Sequence, residues 1–359
     1  MTSLKGKKST TTNRIYYLDI LRIIACLSVI MIHSSANYVV KDIGSINFWV
    51  GNILDSLSRI GVPLFLMISG ALMLDKNYKY STQKLIKHIK KMIIFFIFWS
   101  AIYCIVSNII ISTVINHQPF NKVDFIVHFI QGHYHLWFIY LIIGLYLIVP
   151  LLRLWVKNEN KKSIEYFLIL SIIFTYIIQP IINIGMNFSD IFKTIYTIIE
   201  NQLCLKYIGG YTSYFILGYY IHNYDIKHKR TVYILGIFGL IITIFGTYII
   251  SNSTQKAIQM YDNLSLNVLL QSTAIFLFIR TKFINDKNHQ NIFIDTISKN
   301  SLGIYAMHVL IINLTYTILQ KIGLESAIIN IPIVFISSFT LSFLVTYILS
   351  KIPILKKIV

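Results

Sequence analysis

The sequence predicts an all-α integral membrane protein, a bundle of ten transmembrane helices with both termini in the cytoplasm. Of its 359 residues, 55% are hydrophobic and only 13% are charged, whereas a soluble domain carries about a quarter charged residues. The apolar residues also fall in stretches of about 20, the length that crosses a bilayer. The predicted spans are residues 15–38, 49–74, 92–115, 134–152, 164–183, 207–222, 232–251, 265–280, 301–320 and 328–350.

The basic residues orient this bundle. Of the 32 Lys and Arg residues, 24 lie in the tails and loops on one side of the predicted bundle and six lie on the other. Because basic loops stay in the cytoplasm, we predict an N-in, C-in topology. Loops that face anionic lipid also explain the net charge of +18, so nucleic acid is not an expected partner.

These patterns predict one membrane domain between two tails. Residues 1–14 form a basic cytoplasmic tail, residues 15–352 the ten-helix membrane domain, and residues 353–359 a second cytoplasmic tail. We expect a multi-pass protein of the plasma membrane whose first partner is the lipid bilayer.

Two arginines lie inside predicted spans, and each has an acid within helical reach. Asp19 precedes Arg22 by three residues, and Asp55 precedes Arg59 by four. Charged side chains at membrane depth are costly and usually functional. Two interpretations of these pairs are open. They are neutral ion pairs that hold the helices in register, or they line a path for an anion or polar substrate.

Arg22 and His33 are predicted to share one face of the first helix. Eleven residues are about three turns and a rise of ~16 Å. This places Arg22 nearer the cytoplasm and His33 nearer the outer surface. A lone membrane histidine is often a packing residue, but its alignment with an arginine favours a functional role for His33.

Other histidines extend the candidate site. His135 begins span four at a depth similar to that of His33, and His308 lies seven residues into span nine, near the expected depth of Arg22. His133 and His135 are two residues apart, which on a helix sends them to different faces, so no metal site is predicted. The three cysteines have no close spacing, which argues against a disulfide framework or a zinc site.

Span two carries the sequence Arg59-Ile-Gly61-Val-Pro63, followed by Gly70. Pro63 disrupts regular helical hydrogen bonding, and the glycines allow close approach of neighbouring backbones. Irregular backbone at membrane depth is tolerated only where protein or a watery cavity satisfies its polar groups. We therefore expect a cavity beside Arg59.

Four stretches taken together resemble the membrane-bound acyltransferase family 3, and they span nearly the whole chain. The signature of that family is an arginine, ten residues and a histidine in the first span. The greatest similarity within it is to the type that O-acetylates enterobacterial common antigen. The matching stretches are Leu18-Asp19-Ile-Leu-Arg22 through Met31-Ile-His33, Ser58 through Gly70, His135-Leu-Trp-Phe138, and Ser301-Leu-Gly303-Ile-Tyr305-Ala-Met-His308.

The resemblance implies an O-acyltransferase that moves an acyl group, usually acetyl, from cytoplasmic acetyl-CoA to a hydroxyl of an envelope polysaccharide or its lipid-linked precursor. Arg22 and His33 would be catalytic. Arg22 would hold the phosphate or pantetheine portion of the donor or polarise its thioester carbonyl, and His33 would act as general base or as a covalent acyl carrier. Acetyl-CoA would be a substrate, with no permanently bound cofactor and no metal. The residues expected to bind the substrate or the acyl donor are Asp19, Arg59, His135, Tyr305 and His308.

A polytopic transporter or exporter of a polysaccharide or lipid-linked glycan is the alternative. It explains ten spans, internal charges and kinked helices equally well. Transporters are often built from repeated halves with broken helices in matching positions, and the sequence has no such pairing. The acceptor glycan, the choice between acetyl and succinyl, and the oligomeric state stay open.

Overall fold

The computed structural model describes residues 15–40, 42–76, 81–157, 161–198, 209–285, 291–353 and 355. Across these ranges the regular structure is entirely helical. The predicted tail 1–14 lies outside them, as does most of the tail 353–359. The helices are α1 Tyr16–Ser35, α2 Ile46–Ser58, α3 Gly61–Met73, α4 Thr82–Cys104, α5 Lys122–Gln131, α6 Trp137–Lys157, α7 Lys161–Ser171, α8 Gln179–Gly185, α9 Asp190–Ile198, α10 Gly210–Asn223, α11 Lys229–Thr254, α12 Leu266–Phe283, α13 Ile292–Lys321 and α14 Ala327–Lys351.

Side-chain caps set where several helices begin. Ser45 accepts a hydrogen bond from the backbone N–H of Phe48 at the start of α2, and Ser81 caps α4 in the same way. Asn291 accepts from two backbone N–H groups and starts α13 at Ile292. Such caps satisfy donors that have no partner inside the helix. The ninth predicted span therefore begins about nine residues earlier than the expected position 301.

Eight helical segments of the described chain are long and apolar enough to cross a membrane. This agrees with a multi-pass membrane protein. The segments are Tyr16–Tyr38, Ile46–Met73, Thr82–Ile111, Lys122–Lys157, Lys161–Gly185, Lys229–Thr254, Ile292–Lys321 and Ala327–Lys351.

Two predicted spans, 207–222 and 265–280, correspond to α10 and α12. With 14 residues, α10 is about 21 Å long, short of the ~30 Å apolar layer. The polar side chains Asn267, Gln271 and Arg280 of α12 are buried. The count of ten spans and the N-in, C-in orientation remain predictions.

The surface of the bundle is rich in exposed apolar side chains, as a lipid-facing surface requires. Helix α11 is the clearest case, because one side of it is buried through Gly236, Gly239, Thr243 and Thr247. Its other side exposes large apolar residues, namely Ile234, Leu235, Ile237, Phe238, Ile241, Phe245 and Ile249.

Helix α1 lies at the centre of the bundle and contacts α2, α3, α12, α13 and α14. Helices α3 and α10 pack with their backbones in direct contact. A Cβ atom added at Gly70 would overlap the carbonyl of Phe215, and one added at Gly218 would overlap the carbonyl of Met67. Small residues at a helix crossing permit such an approach, and this crossing fixes α3 beside α1.

Candidate functional site

Arg22 is held by a polar network between α1 and α13. Its guanidinium forms an ion pair with Asp19 at 2.9 Å and donates a hydrogen bond to Ser298 Oγ at 3.0 Å. Ser298 in turn donates to the Asp19 carboxylate at 2.6 Å. Asp19 is buried, whereas 26% of the Arg22 side chain is exposed. The network therefore fixes the guanidinium and leaves one edge of it open.

A cavity of about 190 Å³ lies beside Arg22, enclosed by α1, α3, α4, α6 and α13. We refer to it as the Arg22 cavity. Its lining is mostly apolar, with the guanidinium as its charged group. The other lining residues are Phe65, Ile68, Ser69, Leu72, Met73, Met92, Phe138, Ile139, Ile142, Tyr146, Ser301, Leu302 and Tyr305.

His33 belongs to a cluster of histidines near the Ser35 end of α1. Its ring centroid lies 5.2 Å from that of His308, which lies 5.3 Å from that of His135. The Nδ1 atoms of His135 and His133 are 3.0 Å apart. His135 and His308 are buried, whereas His33 and His133 are partly exposed. The predicted site residues His33, His135 and His308 are thus brought together.

The expected depth of His308 is wrong. Because α13 begins at Ile292, Ser298 lies opposite Arg22, and His308 is ten residues further along. Ten helical residues rise ~15 Å, which matches the rise from Arg22 to His33. His308 therefore lies at the depth of His33 and not at that of Arg22.

The prediction that His133 and His135 face different ways is also wrong. Both lie outside the regular α-helix: His133 precedes a 3₁₀ turn, Tyr134–Leu136, that leads into α6. That turn brings the two Nδ1 atoms face to face. Among the described residues, no group of three or more His, Cys, Asp or Glu side chains has the arrangement of a metal site.

Tyr305 links the Arg22 cavity to the histidine cluster. It lines the cavity and donates its hydroxyl hydrogen bond to the backbone carbonyl of His135. Its ring lies 5.6 Å from that of His135 and 5.9 Å from that of His308. Arg22 and His33 are thus connected through the predicted residues Tyr305 and His308.

A second cavity, of about 330 Å³, lies on the far side of the histidine cluster. We name it the Tyr134 pocket. The ring of Tyr134 also contacts that of His33, at 5.4 Å. Polar and aromatic side chains form most of the lining of the Tyr134 pocket. The lining residues are Tyr103, Cys104, Ser107, His128, Gln131, Gly132, His133 and Tyr134. His33 therefore contacts the lining of this pocket through Tyr134 and reaches the lining of the Arg22 cavity through His308 and Tyr305.

Arg59 occupies separate surroundings. It directly follows α2, which ends at Ser58, and α3 begins at Gly61, so the predicted irregularity near Pro63 is confirmed as a helix break. Arg59 pairs with the buried Asp55, and its guanidinium lies 4.1 Å from the ring centroid of Tyr261. The structure thus places Arg59 in an ion pair and cation–π contact, and not in the lining of the Arg22 cavity.

Tyr261 lies in the loop between α11 and α12, and its ring packs against the Arg59 guanidinium. Its hydroxyl donates to Asn52 Oδ1 at 2.6 Å. Burial raises the pKa of the Tyr261 phenol, and the Asp55 carboxylate raises it further. The phenol therefore stays neutral, and its ring faces the Arg59 cation as an apolar and electron-rich cover.

Sequence reasoning missed Ser298, Tyr103 and Tyr134. Ser298 lies three residues before the matched stretch at Ser301, in a segment expected to be a loop. Tyr134 is a neighbour of His135, and its contact with His33 depends on the 3₁₀ turn. Tyr103 stacks on His133 with ring centroids 4.4 Å apart, a contact between distant segments that no local pattern could have indicated.

The fold and the site define a multi-pass membrane protein with a charged and histidine-rich interior. Comparison with known protein families matches residues 15–351 to the acyltransferase domain of acyltransferase family 3. The chain belongs to this family, and it is thus a membrane acyltransferase. No curated protein and no solved structure matches the chain.

Proposed function

We propose that the chain is an O-acetyltransferase of the plasma membrane, of the type that modifies enterobacterial common antigen. It would move an acetyl group from cytoplasmic acetyl-CoA to a hydroxyl of an envelope polysaccharide or its lipid-linked precursor. The observation that carries the proposal is the contact of the histidine cluster with the linings of both the Arg22 cavity and the Tyr134 pocket.

The Arg22 cavity suits the pantetheine arm and thioester of the donor. It is narrow and apolar, and it contains the guanidinium of Arg22. Arg153 lies beside the end of this cavity, where it donates to the backbone carbonyls of Met73 and Asp75. The lysines of segment 84–91 directly precede Met92, which also lines the cavity. This basic surround would hold the phosphates of CoA in water while the arm enters the protein.

The Tyr134 pocket suits a sugar of the acceptor. Tyrosine rings and polar side chains line it, and this combination provides stacking surfaces together with hydrogen-bond donors and acceptors. A sugar hydroxyl in this pocket would approach His33 from the side opposite to the donor. In the predicted orientation this side faces the cell exterior.

Transfer then requires two proton transfers and one bond exchange. The His33 imidazole takes the proton of the sugar hydroxyl, and the oxygen attacks the thioester carbonyl carbon. The C–S bond breaks as the C–O ester bond forms, and the proton passes to the CoA thiolate. Arg22 would anchor the donor arm, because its guanidinium is held by Asp19 and Ser298, about 16 Å along α1 from His33. Transfer through an acetyl-histidine is the variant that forms the same products in two steps.

The remaining predicted residues have supporting roles in this proposal. Asp19 holds Arg22 in position, and Tyr305 holds His135 through its backbone. The Nε2 atom of His308 is buried without a hydrogen-bond partner among the described residues, so it is a polar atom left for the substrate or for the His33 imidazolium. Arg59 would act on the acceptor side, since it lies at the α2–α3 break and is not among the described residues that line the Arg22 cavity.

The test uses membrane vesicles that contain the chain and its native glycan. Radiolabelled acetyl-CoA is added, and label in the glycan fraction is counted. We expect His33→Ala to abolish the incorporation while the protein level stays unchanged. His88→Ala is the matched control, because His88 is exposed on α4 and, among the described residues, its side chain bonds only to the carbonyl of Lys84 in its own helix. Wild-type incorporation by the His33→Ala variant would refute the proposal.

A further inference from the structure

Three aromatic rings from three helices lie together in the lining of the Arg22 cavity. The centroids of Phe65 and Phe138 are 5.8 Å apart, and those of Phe138 and Tyr305 are also 5.8 Å apart. All three residues line the cavity. Phe65 comes from α3, Phe138 from α6 and Tyr305 from α13. We name this set the aromatic wall.

Within the aromatic wall, Tyr305 borders both the cavity and the histidine cluster. On its far side, the Tyr305 ring contacts His135 and His308, and His308 contacts His33. No histidine occurs among the described residues that line the cavity. A thioester in the cavity would therefore approach His33 beside Tyr305, where the lining comes nearest to the histidine cluster.

The wall is built to resist expansion. Tyr305 is buried and its hydroxyl is fixed on the His135 carbonyl, and Phe138 is only 8% exposed. The opposite part of the lining contains Met73 and Met92, which are flexible side chains that adapt to different shapes. In a close-packed interior, each added methylene forces neighbouring groups to shift. Size discrimination is thus concentrated at the aromatic end.

We propose that Phe65, Phe138 and Tyr305 select the length of the transferred acyl group and restrict it to the two carbons of acetyl. This inference rests on the proposed function and adds the acyl specificity of the same site. The acyl methyl group lies against the three rings while the thioester C–S bond breaks and the ester C–O bond forms. A longer chain collides with the wall and holds the carbonyl away from His33.

The test compares acetyl-CoA with butanoyl-CoA as donors in inside-out membrane vesicles that contain the chain and its native glycan. The measured quantity is the ratio of butanoyl to acetyl incorporation into the glycan. Removing the Phe138 ring opens the wall, so we expect Phe138→Ala to raise this ratio at least about tenfold, the scale of discrimination for one or two methylenes. Phe65→Ala should change the ratio in the same direction from a different helix.

Phe95→Ala is the control, because Phe95 is a fully buried phenylalanine of α4 that does not line the cavity. It should leave the ratio unchanged. If Phe138→Ala does not accumulate, Phe138→Leu trims the same ring with less loss of packing and should give a smaller rise.

Two results would overturn the inference: a wild-type protein that transfers butanoyl as fast as acetyl, or a ratio that neither wall variant changes. Either result leaves acyl transfer itself intact. Absence of any transfer by the wild-type protein would instead contradict the proposed function, so the two failures are distinguishable.

Discussion

Ser298→Ala tests whether the polar network around Arg22 positions the guanidinium for acyl transfer. The serine hydroxyl accepts from Arg22 and donates to Asp19, and the substitution removes both bonds. Hydrogen bonds to charged groups contribute about 1.5–3 kcal/mol each. The direct ion pair between Arg22 and Asp19 remains, so we expect a net loss near the lower end, about 2 kcal/mol. If the loss falls on the transition state, it is about a 30-fold decrease in kcat/KM.

The assay is the initial rate of acetyl transfer as a function of acetyl-CoA concentration. A rise in KM with unchanged kcat would mean that Arg22 anchors the donor, whereas a fall in kcat would mean that it also contributes to the transition state. Ser298→Thr keeps the hydroxyl and should retain most activity. Ser272→Ala is the control, since within the described ranges that buried serine hydroxyl bonds only to the Val268 carbonyl of its own helix.

The reasoning is refuted if Ser298→Ala has wild-type kinetics. The positioning role of Ser298 is also refuted if Ser298→Ala and Ser272→Ala lose activity to the same extent and in proportion to protein abundance. That result would show that Ser298 contributes only to packing.

Two further predictions concern the packing and the link between the cavities. Gly218→Ala places a methyl group against the carbonyl of Met67, so it should destabilise the α3–α10 crossing by about 1–3 kcal/mol. The measurement is the thermal unfolding midpoint in detergent, which should fall. An unchanged midpoint would show that the crossing can relax. Tyr305→Phe removes the hydrogen bond to the His135 carbonyl but keeps the ring. The rate of acetyl transfer should fall about fivefold for a loss of about 1 kcal/mol, while the butanoyl-to-acetyl ratio stays constant. An unchanged rate would exclude a positioning role for the hydroxyl.

Much of the fold could be predicted because membrane helices depend on local sequence. Long apolar stretches located α1, α4, α11 and α14, and the internal charges pointed to Arg22 and Asp19. The pairing of Asp55 with Arg59 at a broken helix also followed from local spacing and from the Gly61 and Pro63 pattern. The match of the chain to its family agrees with four short stretches that are visible in the sequence.

The errors came from places where local pattern and burial disagree. Helix α13 begins at a capping asparagine in a polar segment that hydropathy reads as a loop, and this shifted the expected depth of His308. Helix α10 is too short to span by length, and helix α12 buries polar side chains, so hydropathy alone could not decide their topology.

The histidine cluster could be predicted only in part. α-Helical periodicity predicts that His133 and His135 lie on different faces. The chain instead forms a 3₁₀ turn from Tyr134 to Leu136, directly after His133. The contacts of Tyr103 and Ser298 join residues that are far apart in the sequence. Such contacts depend on how the helices pack, which local spacing does not determine.

The most direct test of a donor cavity and an acceptor pocket joined at His33 is mass spectrometry of envelope glycans from cells that lack the chain. We predict that one class of acetyl ester disappears and that the wild-type chain and His88→Ala restore it. Arg22→Ala and His33→Ala should leave it absent at normal protein abundance. An unchanged ester profile in the deletion cells, or full restoration by His33→Ala, would contradict the account.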